Sequence, residues 1–139
     1  MILLDTSGLL AALDGSQRHH AEAAASLGAA DPPLLLSPFV LAELDYLLST
    51  RVGVAAELAL LDEVSRGAFT LVPFEAPDVR AATQVIERYR DLGIGLADAS
   101  LVVLAARHAI TDVLTLDERH FRAMTRPDGV PFHLLPADR

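Results

Sequence analysis

Acidic residues stand in this sequence where a carboxylate has chemistry open to it. Ile2-Leu3-Leu4 runs directly into Asp5-Thr6-Ser7, a carboxylate followed by two hydroxyls, and Val113 to Leu116 runs into Asp117 within the segment LTLDERHF. Glu43 lies in SPFVLAELDYLLST, on the margin of an apolar stripe made by Val40, Leu44, Leu47 and Leu48 with Leu41 beside it. Helical spacing sets it against Val40 and Leu47. Asp98 precedes ASLVVLAA, a run whose one polar residue is Ser100, so the helix it starts must be buried nearly all round. A buried carboxylate needs hydrogen bonds, a cation or a proton. For Asp5 and Asp117 the plainer role is an N-cap of the helix that follows. The two roles are compatible. Asp45 faces elsewhere on its helix, and Asp62, Asp78 and Asp91 read as solvated or capping acids.

Should Asp5, Glu43, Asp98 and Asp117 converge within about 5 Å, each pair would repel by about 3 kcal/mol at an effective dielectric of 20. Six such pairs make about 20 kcal/mol, more than the whole stability of a typical domain. A bare, fully ionised cluster of that kind is untenable. It must take up protons or hold a divalent metal. Oxygen ligands without cysteine favour hard ions, Mg²⁺ or Mn²⁺, which keep several waters and suit phosphate substrates.

The elements that must position these acids are short apolar runs alternating with helical patterns. Strands are predicted at Ile2–Leu4, Leu34–Leu36, Phe69–Val72, Val113–Leu116 and Phe132–Leu135. Helices are predicted at Thr6–Leu13, Gln17–Ala30, Pro38–Thr50, Ala55–Arg66, Asp78–Arg90 and Ala97–Ala109. Ser37 before Pro38 is an N-cap followed by proline at the first helical position. The strands are continuously apolar, which suits a sheet covered on both faces. The alternation implies a parallel α/β sheet with right-handed crossovers. Ligands of such sheets bind beyond the carboxyl ends of the strands, where strand order reverses, so Asp5 and Asp117 belong to one rim.

Length and composition narrow the chemistry. The chain has 139 residues, and with neither internal repeat nor long linker the expectation is one domain, 1–139. There is no cysteine, which excludes disulfides and cysteine zinc sites. All eleven basic residues are arginine. Mechanisms that need a lysine amine, such as the P-loop clamp and Schiff-base catalysis, fall with it. The longest uncharged stretch, Pro32–Ala42, is eleven residues and contains prolines, too short to cross a bilayer. Only four apolar residues precede Asp5, so no secretory segment is expected and the cytoplasm is the default location. A net charge of −8 argues against holding nucleic acid by bulk electrostatics and would welcome a basic partner. Acids gathered around a metal would moderate that repulsion.

Among the remaining polar residues, adjacent side chains on a helix diverge by about 100°, so Arg18-His19-His20 makes a poor chelate and reads as a solvated face. Arg119, His120, Arg122 and Arg126 follow Asp117 closely, either as candidate contacts to RNA phosphates on the rim or as a solvated turn. Phe121 is expected in the core, Arg80, Arg88 and Arg90 in pairs with neighbouring acids, and His108 in a structural role. No serine hydrolase elbow, dinucleotide-binding GxGxxG or aromatic stacking platform is present.

Taken together, LLDTSGLLA, SPFVLAELDYLL, GIGLADASLVVLA and LTLDERHF, in this order and at these spacings, resemble a PIN-domain protein of the VapC type, the toxin ribonuclease of a bacterial toxin–antitoxin pair. The resemblance spans nearly the whole chain. It implies a three-layer fold whose parallel sheet has strand order 3-2-1-4-5 with helices on both faces, and a metal-dependent endoribonuclease acting on structured RNA such as tRNA or rRNA. It also implies a homodimer and a cognate VapB-type antitoxin that presents a basic side chain to the acids. Asp5, Glu43, Asp98 and Asp117 stand where that family has its four acids, with Asp5 and Asp98 the firmest ligands of Mg²⁺ or Mn²⁺ and Glu43 and Asp117 completing the shell. Thr6, Ser7 and Thr115 fall where it has supporting hydroxyls. The lack of lysine departs from many relatives and leaves RNA contact to arginine, whose planar fork suits phosphate.

Two other readings compete. A non-catalytic module of the same fold could use the acidic cleft to grip an arginine from a basic peptide, although one arginine needs only one or two carboxylates. Phosphoryl transfer through an aspartyl-phosphate has Asp5 at the right strand end, but DTS in place of DxD and the absence of lysine count against it.

Overall fold

Residues Met1–Arg139 are all described by the computed structural model of the chain. In chain order the elements are β1 (Ile2–Leu4), α1 (Thr6–Leu13), α2 (His20–Ala29), β2 (Leu34–Leu36), α3 (Pro38–Arg51), α4 (Val54–Ser65), β3 (Thr70–Leu71), α5 (Ala76–Arg88), α6 (Leu96–His108), β4 (Asp112–Leu114), α7 (Glu118–Ala123) and β5 (His133–Leu135). The strands form one parallel sheet in the order β3-β2-β1-β4-β5. Successive side chains of a strand point to opposite faces. Ile2, Leu3 and Leu4 of β1 are all buried, so helices cover the sheet on both sides. No helix is long and apolar enough to cross a membrane.

Local chemistry accounts for most element boundaries. Ser37 accepts a hydrogen bond from Phe39 N at 3.2 Å, and Pro38 opens α3 behind it. α5 begins two residues before the predicted start because Glu75 and Asp78 make a reciprocal capping box. α2 begins later than predicted, at His20 instead of Gln17. Asp14 takes hydrogen bonds from the Ser16 backbone and hydroxyl at 3.0 and 2.8 Å, a local turn that competes with helix. The six-residue α7 was not among the predicted helices, being too short to show an apolar period.

A 33-residue apolar cluster joins the sheet to the helices, with β1 and α6 at its centre. Two devices fix the helices that carry the acids. Gly8 lies so close to β4 that a Cβ there would meet the Leu114 carbonyl and come within 2.8 Å of Thr115 N, so only glycine lets α1 pack at this depth. Ser37 and Ser100, both fully buried, share a 2.7 Å hydrogen bond that ties the start of α3 to α6. Ser100 also donates to Ala97 O at 2.6 Å, leaving Ser37 as the donor between the two hydroxyls.

Candidate active site

Strand order reverses between β1 and β4, and the site lies there, at their carboxyl ends. β1 delivers Asp5 and β4 delivers Thr115. α3 brings Glu43, α6 brings Asp98 in its first turn, and Asp117 caps α7. All four acids line one cleft of about 420 Å³, together with Thr6, Ser7, Gln17, Arg51 and His120.

Asp5 stands at the N-cap position of α1, yet its side chain makes no capping bond. It accepts hydrogen bonds from Thr115 Oγ1 at 2.7 Å and Ser7 Oγ at 2.9 Å, both at Oδ2. The simple capping role is thereby excluded for this residue. Burial pushes its carboxyl up to about 6, the charge of Asp98 adds to that push, and the two hydroxyls oppose it. The hydroxyls are themselves fixed: Thr115 Oγ1 accepts from Asp117 N at 2.9 Å, and Ser7 Oγ accepts from Leu116 N at 3.0 Å. Thr6 serves a different acid, donating to Glu43 Oε1 at 2.7 Å and so joining α1 to α3.

Asp117 does both things the sequence allowed. Its Oδ1 accepts from His120 N at 3.1 Å, capping α7, while its Oδ2 lies 3.0 Å from His120 Nδ1. The same Nδ1 lies 3.0 Å from Asp98 Oδ2. Burial raises the Asp98 carboxyl above its ordinary range; His120 counters this, and Asp117 and Glu43 add to it. Burial is the main cause of both shifts, and the neighbouring acids add to it.

His120 changes the composition of the expected cluster. Asp98, Asp117 and His120 each offer a ligand atom, all within 4.8 Å of one another, whereas Asp5 and Glu43 line the same cleft outside that trio. The four carboxylates therefore do not all converge within about 5 Å, and their summed repulsion is smaller than the six-pair figure. The fit to a divalent ion is good. Two carboxylates and an imidazole form a donor set that suits a divalent ion, with His120 Nδ1 lying 3.0 Å from an oxygen of each acid.

The basic residues after Asp117 take three different places. His120, predicted at the RNA-contacting rim, is inside the cleft against the acids. Arg122, predicted there too, is held instead between Asp138 and Glu118, and this pairing raises its pKa. Arg126 pairs with Asp128. Arg119 alone of the group is exposed and free of ion pairs. Phe121 is buried and stacks edge-on against Phe132, as expected of the residue that seats this segment. Sequence reasoning missed Gln17 and Arg51 as cleft residues. For Arg51 a signal existed: Glu43, Leu47 and Arg51 recur every four residues, so they share one face of α3.

Fold and site define a class. The PIN domain family matches residues 2–127, and the chain belongs to that family. Within it the chain is of the VapC type: it is 43% identical over 135 residues to Ribonuclease VapC26 of Mycobacterium tuberculosis (strain ATCC 25618 / H37Rv), covering 97% of this chain and all of that protein. Among solved structures it is similar to M. tuberculosis VapC20, described as a sarcin-ricin loop cleaving toxin, with a TM-score of 0.79 at 20% identity over 85% of this chain and 91% of that one. It is also similar to FitAcB from Neisseria gonorrhoeae, with a TM-score of 0.68 at 24% identity over 96% and 97%. DNA-bound VapBC from Salmonella typhimurium gives a TM-score of 0.66 at 18% identity over 96% of both chains. At these identities the solved structures speak for the fold.

Proposed function

We propose that this protein is the toxin of a toxin–antitoxin pair, a Mg²⁺- or Mn²⁺-dependent endoribonuclease that hydrolyses phosphodiester bonds in structured RNA, tRNA or rRNA. The observation that carries the reading is the cleft itself. Four acids from four elements face one space, with Asp5 and Asp98 both pushed above their ordinary range, in a chain 43% identical to a ribonuclease. One arginine from a peptide would need far less. The same reading carries with it a single PIN domain over 1–139, a homodimer and a cytoplasmic location.

Asp98, Asp117 and His120 would hold the metal, with Asp5 completing the set across the cleft. A divalent ion in this position supplies an activated water and neutralises charge developing on the phosphate. The protein's own residues do the rest. Thr115 and Ser7 fix the Asp5 carboxylate, and the backbone of Asp117 and Leu116 fixes those hydroxyls, so the acid is oriented before substrate arrives. Thr6 takes one oxygen of Glu43 and leaves the other to the cleft, where it can accept a proton from the attacking water.

The acids also suit a cognate VapB-type antitoxin. A basic side chain of its peptide entering the cleft would neutralise them and occlude the substrate, and the net charge of −8 favours such an encounter. That VapBC and FitAcB share this fold supports such a partner.

The test is RNA cleavage by the purified, partner-free protein in Mg²⁺, Mn²⁺ and EDTA, beside Asp5→Asn and Asp98→Asn. Loss of cleavage in EDTA and in both variants is expected. Cleavage that survives chelation or either substitution contradicts the mechanism, and mapping 5′ ends of cellular RNA after brief induction would name the substrate.

A further inference from the structure

Of the eleven arginines, Arg51 alone lines the acid cleft. Its side chain makes no ion pair and no hydrogen bond, in contrast to Arg66, Arg90, Arg107, Arg122 and Arg126, each held by a carboxylate. Arg18, Arg80, Arg88 and Arg119 also lack ion pairs, but Arg51 is the one that shares a cleft with the four carboxylates. The end of a helix does favour a cation, which explains a basic residue in the last turn of α3. It does not explain why that residue stands on the cleft face, in line with Glu43 and Leu47.

The spacing supplies a reason. Arg51 lies eight residues beyond Glu43, about 12 Å along the helix axis. A stacked nucleic acid strand carries one phosphate per about 3.4 Å of axis, so a strand with one phosphate at the acids would bring another, about three or four positions away, to Arg51. The guanidinium fork matches a phosphate and stays charged at any accessible pH. A polyanion crossing the acids would be drawn to Arg51.

We propose that Arg51 is a phosphate-binding subsite for the RNA strand, displaced along α3 from the site of cleavage, that fixes the strand's direction through the cleft. The assignment rests on the ribonuclease reading above. Arg51 contributes to substrate binding and takes no part in the bond-breaking step.

The experiment measures binding of fluorescein-labelled dodecaadenylate by anisotropy in Ca²⁺, with the RNA checked intact afterwards, to the wild type, Arg51→Gln, Arg51→Lys and Arg88→Gln over about 50–200 mM salt. Arg88, exposed beside Tyr89 and away from the cleft, is the control. Arg51→Gln is expected to raise Kd about tenfold, equivalent to about 1.4 kcal/mol, and to reduce the magnitude of the logarithmic salt slope by about 0.7. Arg51→Lys should keep the slope, and Arg88→Gln should behave as wild type. Labelled adenylyl-adenosine, too short to span from the acids to Arg51, should bind wild type and Arg51→Gln equally. Equal Kd and slope for wild type and Arg51→Gln on the dodecamer overturn the assignment while leaving the nuclease reading intact, as does an equal loss on the dinucleotide. A wild type that binds no dodecamer overturns the subsite, and the cleavage assay in EDTA and the acid variants then decides the nuclease reading on its own. Should Arg51→Gln instead weaken only binding of the co-expressed antitoxin, the residue belongs to the protein partner and the subsite is refuted.

Discussion

Thr115 Oγ1 donates to Asp5 Oδ2 at 2.7 Å across 110 residues of sequence, and the same hydroxyl accepts from Asp117 N. One side chain therefore couples the acid at the end of β1 to the backbone that sets the acid before α7. Replacing it by valine keeps the shape and removes both bonds. Thr115→Val should cost about 1–3 kcal/mol in urea unfolding and raise the Asp5 pKa further, weakening Mn²⁺ binding by calorimetry. Thr115→Ser should recover most of both. A valine variant with unchanged Mn²⁺ affinity would show that the hydroxyl does not orient Asp5.

Asp5 titrates near 6 against an ordinary value of 3.8, and Asp98 is shifted in the same direction. Between about pH 4 and 6 the folded protein holds protons that the unfolded chain has released, so stability falls as pH rises through that window. For Asp5 the loss is on the order of 3 kcal/mol. Asp14, Asp78, Asp128 and Asp138 are held below their ordinary range and act oppositely, their contribution being lost as pH falls below about 4. The metal-free protein should accordingly melt at a lower temperature at pH 7 than at pH 5, and saturating Mn²⁺ should remove the difference. A melting temperature that climbs from pH 5 to 7 in EDTA contradicts the arrangement.

His120 brings a nitrogen ligand into a site of carboxylates. Imidazole favours transition metals over Mg²⁺. Calorimetry should find that His120→Ala loses about tenfold or more in Mn²⁺ affinity and little in Mg²⁺ affinity, narrowing the selectivity between them. In spin-echo spectra of bound Mn²⁺, the nitrogen coupling of the wild type should vanish in the variant. Identical Mn²⁺-to-Mg²⁺ affinity ratios would place the imidazole outside the coordination sphere.

Gly8 is where α1 meets β4 most closely. A methyl group there would force α1 off the sheet. Gly8→Ala should destabilise the fold by about 1–3 kcal/mol and, because Asp5, Thr6 and Ser7 ride at the head of the same helix, lower metal affinity as well. Denaturant unfolding with Mn²⁺ titration on the same preparation would register both, and an alanine variant as stable as wild type would show that α1 has room to move.

The chain alone was enough to reveal the parallel sheet, because five apolar runs separated by helical patterns have few ways to bury themselves. It also singled out Asp5, Glu43, Asp98 and Asp117 as candidates, since each breaks an apolar pattern or sits at a strand end that such sheets turn toward a ligand, and all four line one cleft. Which hydroxyl serves which acid was decided only in three dimensions: Thr6 and Ser7 are neighbours, yet one bonds Glu43 and the other Asp5. His120 entering the cleft while Arg122 turns to Asp138 was settled there too, as was the place of Arg51 beside the acids. Local pattern encodes which face of an element is apolar. Where its polar side chains point depends on how helices from distant parts of the chain cross, and packing of the whole core sets that.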